Sequence, residues 1–274
     1  MIERIKKYVS RCFIFGNLRR PIIPFKVNLL YWKPGNKNNI GDYLSLILLN
    51  RIIEEGGESR LTINTKKIVA IGSVLSFVGG GKTTVWGTGL MNKSCVSFLK
   101  NPLKRVVLDI RAVRGPLTRK CLVEAGFKCP EIYGDPAILL PLYYCPYVKK
   151  ETGKIIIIPH HSKLDKYKKL YKNVLDTYTD DWKSFVNEIL SAEKVISSSL
   201  HGIILAESYG IPCVWLNDIP DSPFKYEDYY LSTGRSTFPI VDNVEDGYIK
   251  TGEINLNITM MQQKLLKCFP YDIF

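Results

Sequence analysis

The sequence predicts an α/β protein of two Rossmann-like domains facing a cleft, and three observations carry that prediction. Residues 194–216 read as one β-α-β unit, residues 154–159 hold four consecutive isoleucines, and short apolar runs alternate with helical patterns through the first half. A run that is apolar at every position, rather than at every second one, suits a parallel strand covered on both faces. The expected division is a basic amphipathic segment over 1–26, one domain over 27–148 and a second over 149–274.

The first domain has candidate strands at 27–31, 67–71, 84–86, 105–109 and 131–133, each followed by a glycine, proline or polar break. Helices are expected over 43–53 and 115–125. The stretch 141–153, with Pro141, Pro146 and Gly153, reads as the crossing to the second domain. That domain opens with the isoleucine strand. Asp180 and Asp181 then start an amphipathic helix that runs through Leu190. Next, an apolar strand passes through Ser197, Ser198 and Ser199 into a helix start at His201. Leu200, Ile203, Ile204 and Leu205 form the buried face of this helix, Gly210 closes it, Pro212 follows, and 214–216 is the next strand. Residues 255–268 read as a final helix returning to the first domain.

Composition narrows the function classes. A chain of 274 residues that is 46% hydrophobic can bury a full core. No apolar run reaches the roughly 18–20 residues needed to cross a bilayer. The seven cysteines form no C-x-x-C pair, their number is odd and no secretory signal precedes them, so a reducing cytoplasm is expected. Three histidines, two of them adjacent, give no zinc-ligand spacing, and neither a metal nor a cofactor is called for.

The formal charge of +12 fits nucleic acid, an anionic membrane surface, anionic small substrates or simply a solvated basic surface. Nucleic acid is not expected as a partner, because the lysines are dispersed and no finger, zipper or RNP-like strand occurs. At the N-terminus Ile2, Ile5, Val9 and Cys12 or Phe13 share one helical stripe, with Arg4, Lys6, Lys7 and Arg11 elsewhere and Arg19 and Arg20 following. This is either an interfacial helix for peripheral contact with the inner face of the cell membrane or a helix packed on its own domain. The oligomeric state is not legible. Gly79, Gly80, Gly81, Lys82 and Thr83 imitate a phosphate loop, but the spacing needs glycine where Ser76 stands; a flexible loop over the cleft is expected instead. No G-x-G-x-x-G follows a strand, so NAD is not expected either.

In β-α-β units ligands sit beyond the carboxyl ends of the strands, where helix N-termini offer free N–H groups to anions. Residues 197–202 therefore lie where an anion binds. His201 is the candidate acid/base, since imidazole gives and takes protons near neutrality; the alternative is a histidine that merely caps or packs its helix. Arg114 stands at a helix start, where its charge opposes the dipole, so an anionic partner would account for it. His160 and His161 follow a buried strand and would point opposite ways if it continued, leaving at most one in the cleft. Asn39 offers an amide to orient a ligand. Asp42 reads as a helix N-terminal charge rather than a base.

Several segments match one family in order and spacing. Asn39-Ile40-Gly41-Asp42 resembles its N-x-G-D turn, and Ala70-Ile71-Gly72-Ser73 and Val85-Trp86-Gly87-Thr88-Gly89-Leu90 resemble its glycine-containing strand ends. The stretch from Arg111 through Val113-Arg114-Gly115 to Thr118, then Gly134-Asp135-Pro136 and Ser199-Leu200-His201, continue the pattern, which spans roughly residues 28–235. In these respects the chain resembles the polysaccharide pyruvyl transferase family. The resemblance implies a glycosyltransferase-B-like frame. It also implies transfer of the enolpyruvyl group of phosphoenolpyruvate, a donor substrate rather than a cofactor, to two hydroxyls of one hexose. The acceptor so implied is a galactose-like or mannosamine-like residue of a surface-polysaccharide precursor on a polyprenyl diphosphate.

His201 is then the catalytic residue, and Asn39, Arg111, Arg114, His160, Ser198, Ser199, Leu200, Lys225 and Arg235 are the substrate-binding candidates. The sequence departs from the family at one place. Many members carry Arg-Leu-His where this chain has Ser199-Leu200-His201, so Arg114, Arg111, Lys225 or Arg235 must supply the missing cation. Two other readings stay open: a nucleotide-sugar glycosyltransferase on the same frame, and a non-catalytic basic adaptor docking on membrane or nucleic acid.

Overall fold

The computed structural model describes residues 18–19, 22–23, 27–56, 66–219, 223–253, 256 and 258–274. The helix expected over the first 13 residues lies outside the described residues, as does the expected start of the final helix at 255. In chain order the first half holds β1 (Leu18–Arg19), β2 (Ile22–Ile23), β3 (Val27–Leu29), β4 (Tyr31–Trp32), α1 (Ile40–Gly56) and β5 (Lys66–Val69). It continues with β6 (Gly81–Trp86), β7 (Val106–Ala112), α2 (Pro116–Glu124) and the short α3 (Leu140–Tyr143). The second half holds β8 (Ile155–Ile158), α4 (Leu164–Leu170), α5 (Trp182–Ser191), β9 (Lys194–Ser197), α6 (Leu200–Ser208) and β10 (Cys213–Leu216). After these come α7 (Phe224–Ser232), β11 (Ile240–Val241), α8 (Val244–Ile249) and α9 (Thr259–Lys267).

The architecture is mixed α/β, as expected, with two sheets that each contain four parallel strands. The first runs β2-β3-β5-β6-β7, with only β2 antiparallel, and the second runs β11-β10-β9-β8, parallel throughout. Within each of these sheets the strands follow one another in chain order, while β4 pairs antiparallel with β1 in a separate two-stranded sheet. A doubly wound Rossmann sheet reverses its strand order at a switch point and opens its ligand crevice there. Neither sheet reverses among the described strands.

Local chemistry explains the main elements. The isoleucines of β8 are β-branched, with Ile156, Ile157 and Ile158 buried and Ile155 partly so. In α6 every residue from Leu200 to Glu207 is buried, the mark of a helix apolar all round and enclosed in the core. The side chain of Asp181 caps α5 by accepting from Ser184 N at 2.9 Å. One continuous apolar core joins α1 (Leu44, Leu48, Ile52), the turn over 136–139 and α6 (Ile203, Ile204, Leu205), binding the two halves together. At the C-terminal end of the chain, α9 rests on the first half: Leu265 O accepts from Trp86 Nε1 at 3.0 Å, and Gln262 Nε2 donates to Ile138 O at 2.7 Å.

Two expectations need correction. The strand at 131–133 is reduced to one parallel bridge between Val113 and Tyr133, because Pro130 precedes it and Gly134 turns the chain at φ 141°. The triple glycine is not a loop over the cleft. Gly81 already starts β6, Gly81 N donates to Arg105 O at 3.1 Å and Lys67 Nζ to Gly80 O at 2.6 Å, which fixes the segment at the strand's amino end, away from the carboxyl edges.

Candidate functional site

A cavity of about 320 Å3 opens where the carboxyl ends of β8 and β9 meet the first turn of α1. The α1 start is strapped to the second half across the cleft: Ile40 N donates to Thr177 O at 2.8 Å, Thr179 N to Asn38 O at 3.0 Å and Asn38 Nδ2 to Asp180 Oδ1 at 2.6 Å. The glycine that follows is required by contact. A Cβ on Gly41 would stand 1.8 Å from His201 Nδ1, so the imidazole occupies the space a side chain would need. Gly72, at φ +95°, makes room in the same way, since its Cβ would stand 2.6 Å from Asp42 Oδ1.

Around that imidazole the charges are close and underpaired. His201, in the first turn of α6, places Nε2 3.6 Å from Asp135 Oδ2. Both atoms are buried without a hydrogen-bond partner among the described residues. The other carboxylate oxygen of Asp135 accepts from Ala137 N at 3.0 Å, which fixes the group at the start of the 136–139 turn. Asp42 is buried, and its carboxyl is pushed up to about 7, mainly by burial; His201 opposes this rise and Asp135 adds to it.

Cationic and aromatic groups complete the walls. Lys225 is half-buried in α7, with Nζ 4.9 Å above the Tyr226 ring and no hydrogen bond or ion pair among the described residues. Burial, then repulsion from Arg114, bring its ammonium down to about 8 against the pull of Asp42. His160 and His161 both line the cavity, contrary to the alternation argument, because β8 ends at Ile158 and a short 3-10 turn gathers the rings at 3.9 Å. His160 is held down to about 4 by burial, the neighbouring imidazole and Lys225, so it is neutral at pH 7. His161 stacks on Tyr178 at 5.0 Å. Trp32, Phe77 and Met91 give the cavity an apolar side.

The arrangement suits a small anionic molecule: one ammonium, the neutral imidazole of His160 and a carboxyl poised near neutrality, beside a wall for a larger partner. Residues 39–218 match the family described as polysaccharide pyruvyl transferase. The chain belongs to that family. It is accordingly a transferase of polysaccharide biosynthesis. The chain is also similar to uncharacterized protein L143 of Acanthamoeba polyphaga mimivirus, with 27% identity over 210 residues, 70% of this chain and 69% of that protein. Every cavity residue named above falls inside the family match except Trp32 and Lys225.

Of the residues singled out in the sequence of this pyruvyl transferase, the cavity gathers Asn39, His160, Ser199, Leu200, His201 and Lys225. Ser198 stands behind it, its Oγ accepting from His160 N at 2.9 Å and its carbonyl from Tyr226 OH at 2.7 Å. The three arginines lie elsewhere. Arg114 is fully buried, and the anionic partner that its helix position calls for is Asp228, at 3.1 Å. Arg235 is bidentate to Glu207 at 2.7 and 2.8 Å, and Arg111 pairs with Asp109 and Asp272. Among the four candidates for the missing family cation, only Lys225 lines the cavity.

Sequence reasoning missed Asp42 and Asp135 as members of the cluster. Each stands at a position that also starts a helical turn, and a carboxylate there has a sufficient local explanation. The available signal was that both belong to the matched motifs, N-x-G-D and Gly134-Asp135-Pro136.

Proposed function

We propose that the chain is a ketal pyruvyltransferase that moves the enolpyruvyl group of phosphoenolpyruvate onto two hydroxyls of one hexose, releasing phosphate. The acceptor in this reading is a galactose-like or mannosamine-like residue of a surface-polysaccharide precursor on a polyprenyl diphosphate, met on a glycosyltransferase-B-like frame at the cytoplasmic face of the membrane. The observation that carries it is the convergence of His201, Asp42 and Lys225 on one cavity. Within the described residues no helix is long and apolar enough to cross a membrane.

Each residue has a task that the chemistry requires. The ammonium of Lys225 holds one anionic group of the donor, and the neutral ring of His160 with the amide of Asn39 offers hydrogen bonds to the other. Asp42, half-protonated near pH 7, gives its proton to C3 of the enol as C2 becomes electrophilic. A sugar hydroxyl adds to C2 and yields its proton to His201. The bond between C2 and the bridging phosphate oxygen then breaks, phosphate leaves with the bonding pair, and the second hydroxyl adds to C2 as its proton passes to the Asp42 carboxylate. Donor plus diol thus become ketal plus inorganic phosphate, with no redox change.

The test is mass spectrometry of lipid-linked and aryl galactosides and N-acetylhexosaminides after incubation with the protein and phosphoenolpyruvate. A pyruvyl ketal on one acceptor with equimolar phosphate is expected, lost in His201→Ala while its melting temperature stays near wild type. Glycosylated acceptor from nucleotide sugars, with no ketal on any acceptor, would overturn the reading.

A further inference from the structure

We propose that Asp135 is the positioning residue for His201: its carboxylate accepts the hydrogen bond of Nε2–H, holding the proton on Nε2 and leaving Nδ1 as the bare nitrogen that accepts the acceptor hydroxyl's proton. This rests on the pyruvyl-transfer reading for its consequence but not for its geometry.

Asp135 is fully buried and its orientation is set from both sides. Oδ1 accepts from Ala137 N at 3.0 Å, and Pro136 abuts Gly87 so closely that a Cβ there would stand 2.3 Å from Pro136 Cδ. Oδ2 is therefore aimed by the turn. It faces His201 Nε2 at 3.6 Å, and neither atom has another partner among the described residues. A buried carboxylate oxygen left without a donor is costly, and a neutral imidazole has a single N–H to place. Placing it on Nε2 satisfies both atoms, and contacts of this kind shorten when substrate closes the site.

The consequence falls on the other nitrogen. Nδ1 lies over the α-carbon of Gly41, which offers no donor, and makes no hydrogen bond among the described residues. With the ring seated on that glycine and Nε2 tied to Asp135, the lone pair of Nδ1 is the group left for a ligand. A carboxylate that orients an imidazole and fixes its tautomer acts through it without touching the reacting atoms.

The competing explanation is that Asp135 serves only to cap its turn through Oδ1. Asparagine separates the two roles, because it caps equally well but presents an amide NH2 to Nε2, which drives the ring proton to Nδ1. The experiment uses the full chain with Asp135→Asn, and His201→Ala to assign the resonance. The readouts are the 15N spectrum of the His201 ring at alkaline pH, where imidazoles are neutral, then kcat and KM for phosphoenolpyruvate, and the melting temperature.

The expected result is an Nε2–H tautomer in wild type and an Nδ1–H tautomer in Asp135→Asn. With it, kcat should fall about 10²–10⁴-fold while KM and melting temperature are unchanged. An Nδ1–H tautomer in wild type, or an unchanged tautomer and kcat in Asp135→Asn, overturns the proposal. If Asp135→Asn does not fold, the wild-type spectrum alone decides. Absence of ketal in every protein form would remove the pyruvyl-transfer reading, and the 15N tautomer would still answer for Asp135.

Discussion

Two buried charged constellations sit side by side in this molecule, and Ser73 touches both. On one side each guanidinium nitrogen of Arg114 has its own partner: Nε donates to Asp228 Oδ2 at 3.1 Å, Nη1 to Ser73 Oγ at 2.7 Å and Nη2 to Leu90 O at 2.6 Å. Asp228 is equally occupied, accepting from Thr118 N at 2.9 Å and Thr118 Oγ1 at 2.7 Å. On the other side, where Ser73 lines the cavity, Asp135 Oδ2 and His201 Nε2 lack hydrogen bonds among the described residues, and so does the Lys225 ammonium. Folded chains rarely leave buried polar atoms unpaired. The saturated cluster therefore holds the fold, joining the α2 start to α7, whereas in the other Asp135 Oδ2 and His201 Nε2 face only each other and the Lys225 ammonium lines the cavity with no bonded counter-charge among the described residues.

The sharpest way to break this contrast is to remove the saturated cation. Arg114→Met leaves Asp228 buried without its counter-charge, and a loss of about 3–5 kcal/mol is expected in urea unfolding. Combining it with Asp228→Leu should recover much of that loss, since the pair is then replaced by apolar packing. A full-stability Arg114→Met protein with abolished turnover would instead place Arg114 in the site and undo the contrast.

The unsaturated side predicts the opposite sign. The carboxyl of Asp42 rises from 3.8 to about 7 on folding, so between these values the native state holds a proton that the unfolded chain has lost. Its contribution is present in full below about pH 4 and disappears as pH rises through 7. Asp42→Asn should flatten that slope and stabilise the protein by roughly 2–4 kcal/mol above pH 7, with loss of turnover. The groups facing Asp42 are His201, Asp135 and Lys225, and titrating the variant by urea unfolding at pH 5 and 8 isolates its share. Equal stability of variant and wild type at both values would sink this expectation.

The sequence was informative where one local rule governs. The β8 isoleucines, the strand-to-helix passage at Ser199-Leu200-His201 and the Gly210 stop are local patterns, and the structure places an element at each. Pairing decisions were not legible, because they depend on contacts between elements that only the fold brings together. Arg114 advertised an anionic partner through its position at a helix start, yet only the fold shows that Asp228, 114 residues away, supplies it. The same holds for Arg235 with Glu207. His160 and His161 misled because alternation was extended past the point where β8 ends. Gly41 was readable as part of a motif, but its reason, the imidazole lying against its α-carbon, is a tertiary contact that no periodicity encodes.

The smallest expected effect concerns Lys225, where stability and function should move in opposite directions. Its ammonium is brought down from 10.5 to about 8 by burial and by Arg114, so between those values the native state holds fewer protons than the unfolded chain. Stability therefore rises with pH across that window, and below pH 8 the cation is a cost. Lys225→Met should stabilise the protein at pH 7 by about 1–2 kcal/mol, discounted for the half-exposed side chain, and the gain should vanish above about pH 10.5. On the proposed pyruvyl transfer, the same variant should raise KM for phosphoenolpyruvate, whose anion would supply the counter-charge that folding withholds. Arg114→Met shows no such pairing of gain and loss. A Lys225→Met protein that is destabilised at pH 7 would mean that the ammonium has a partner in the fold, and would move Lys225 to the saturated side.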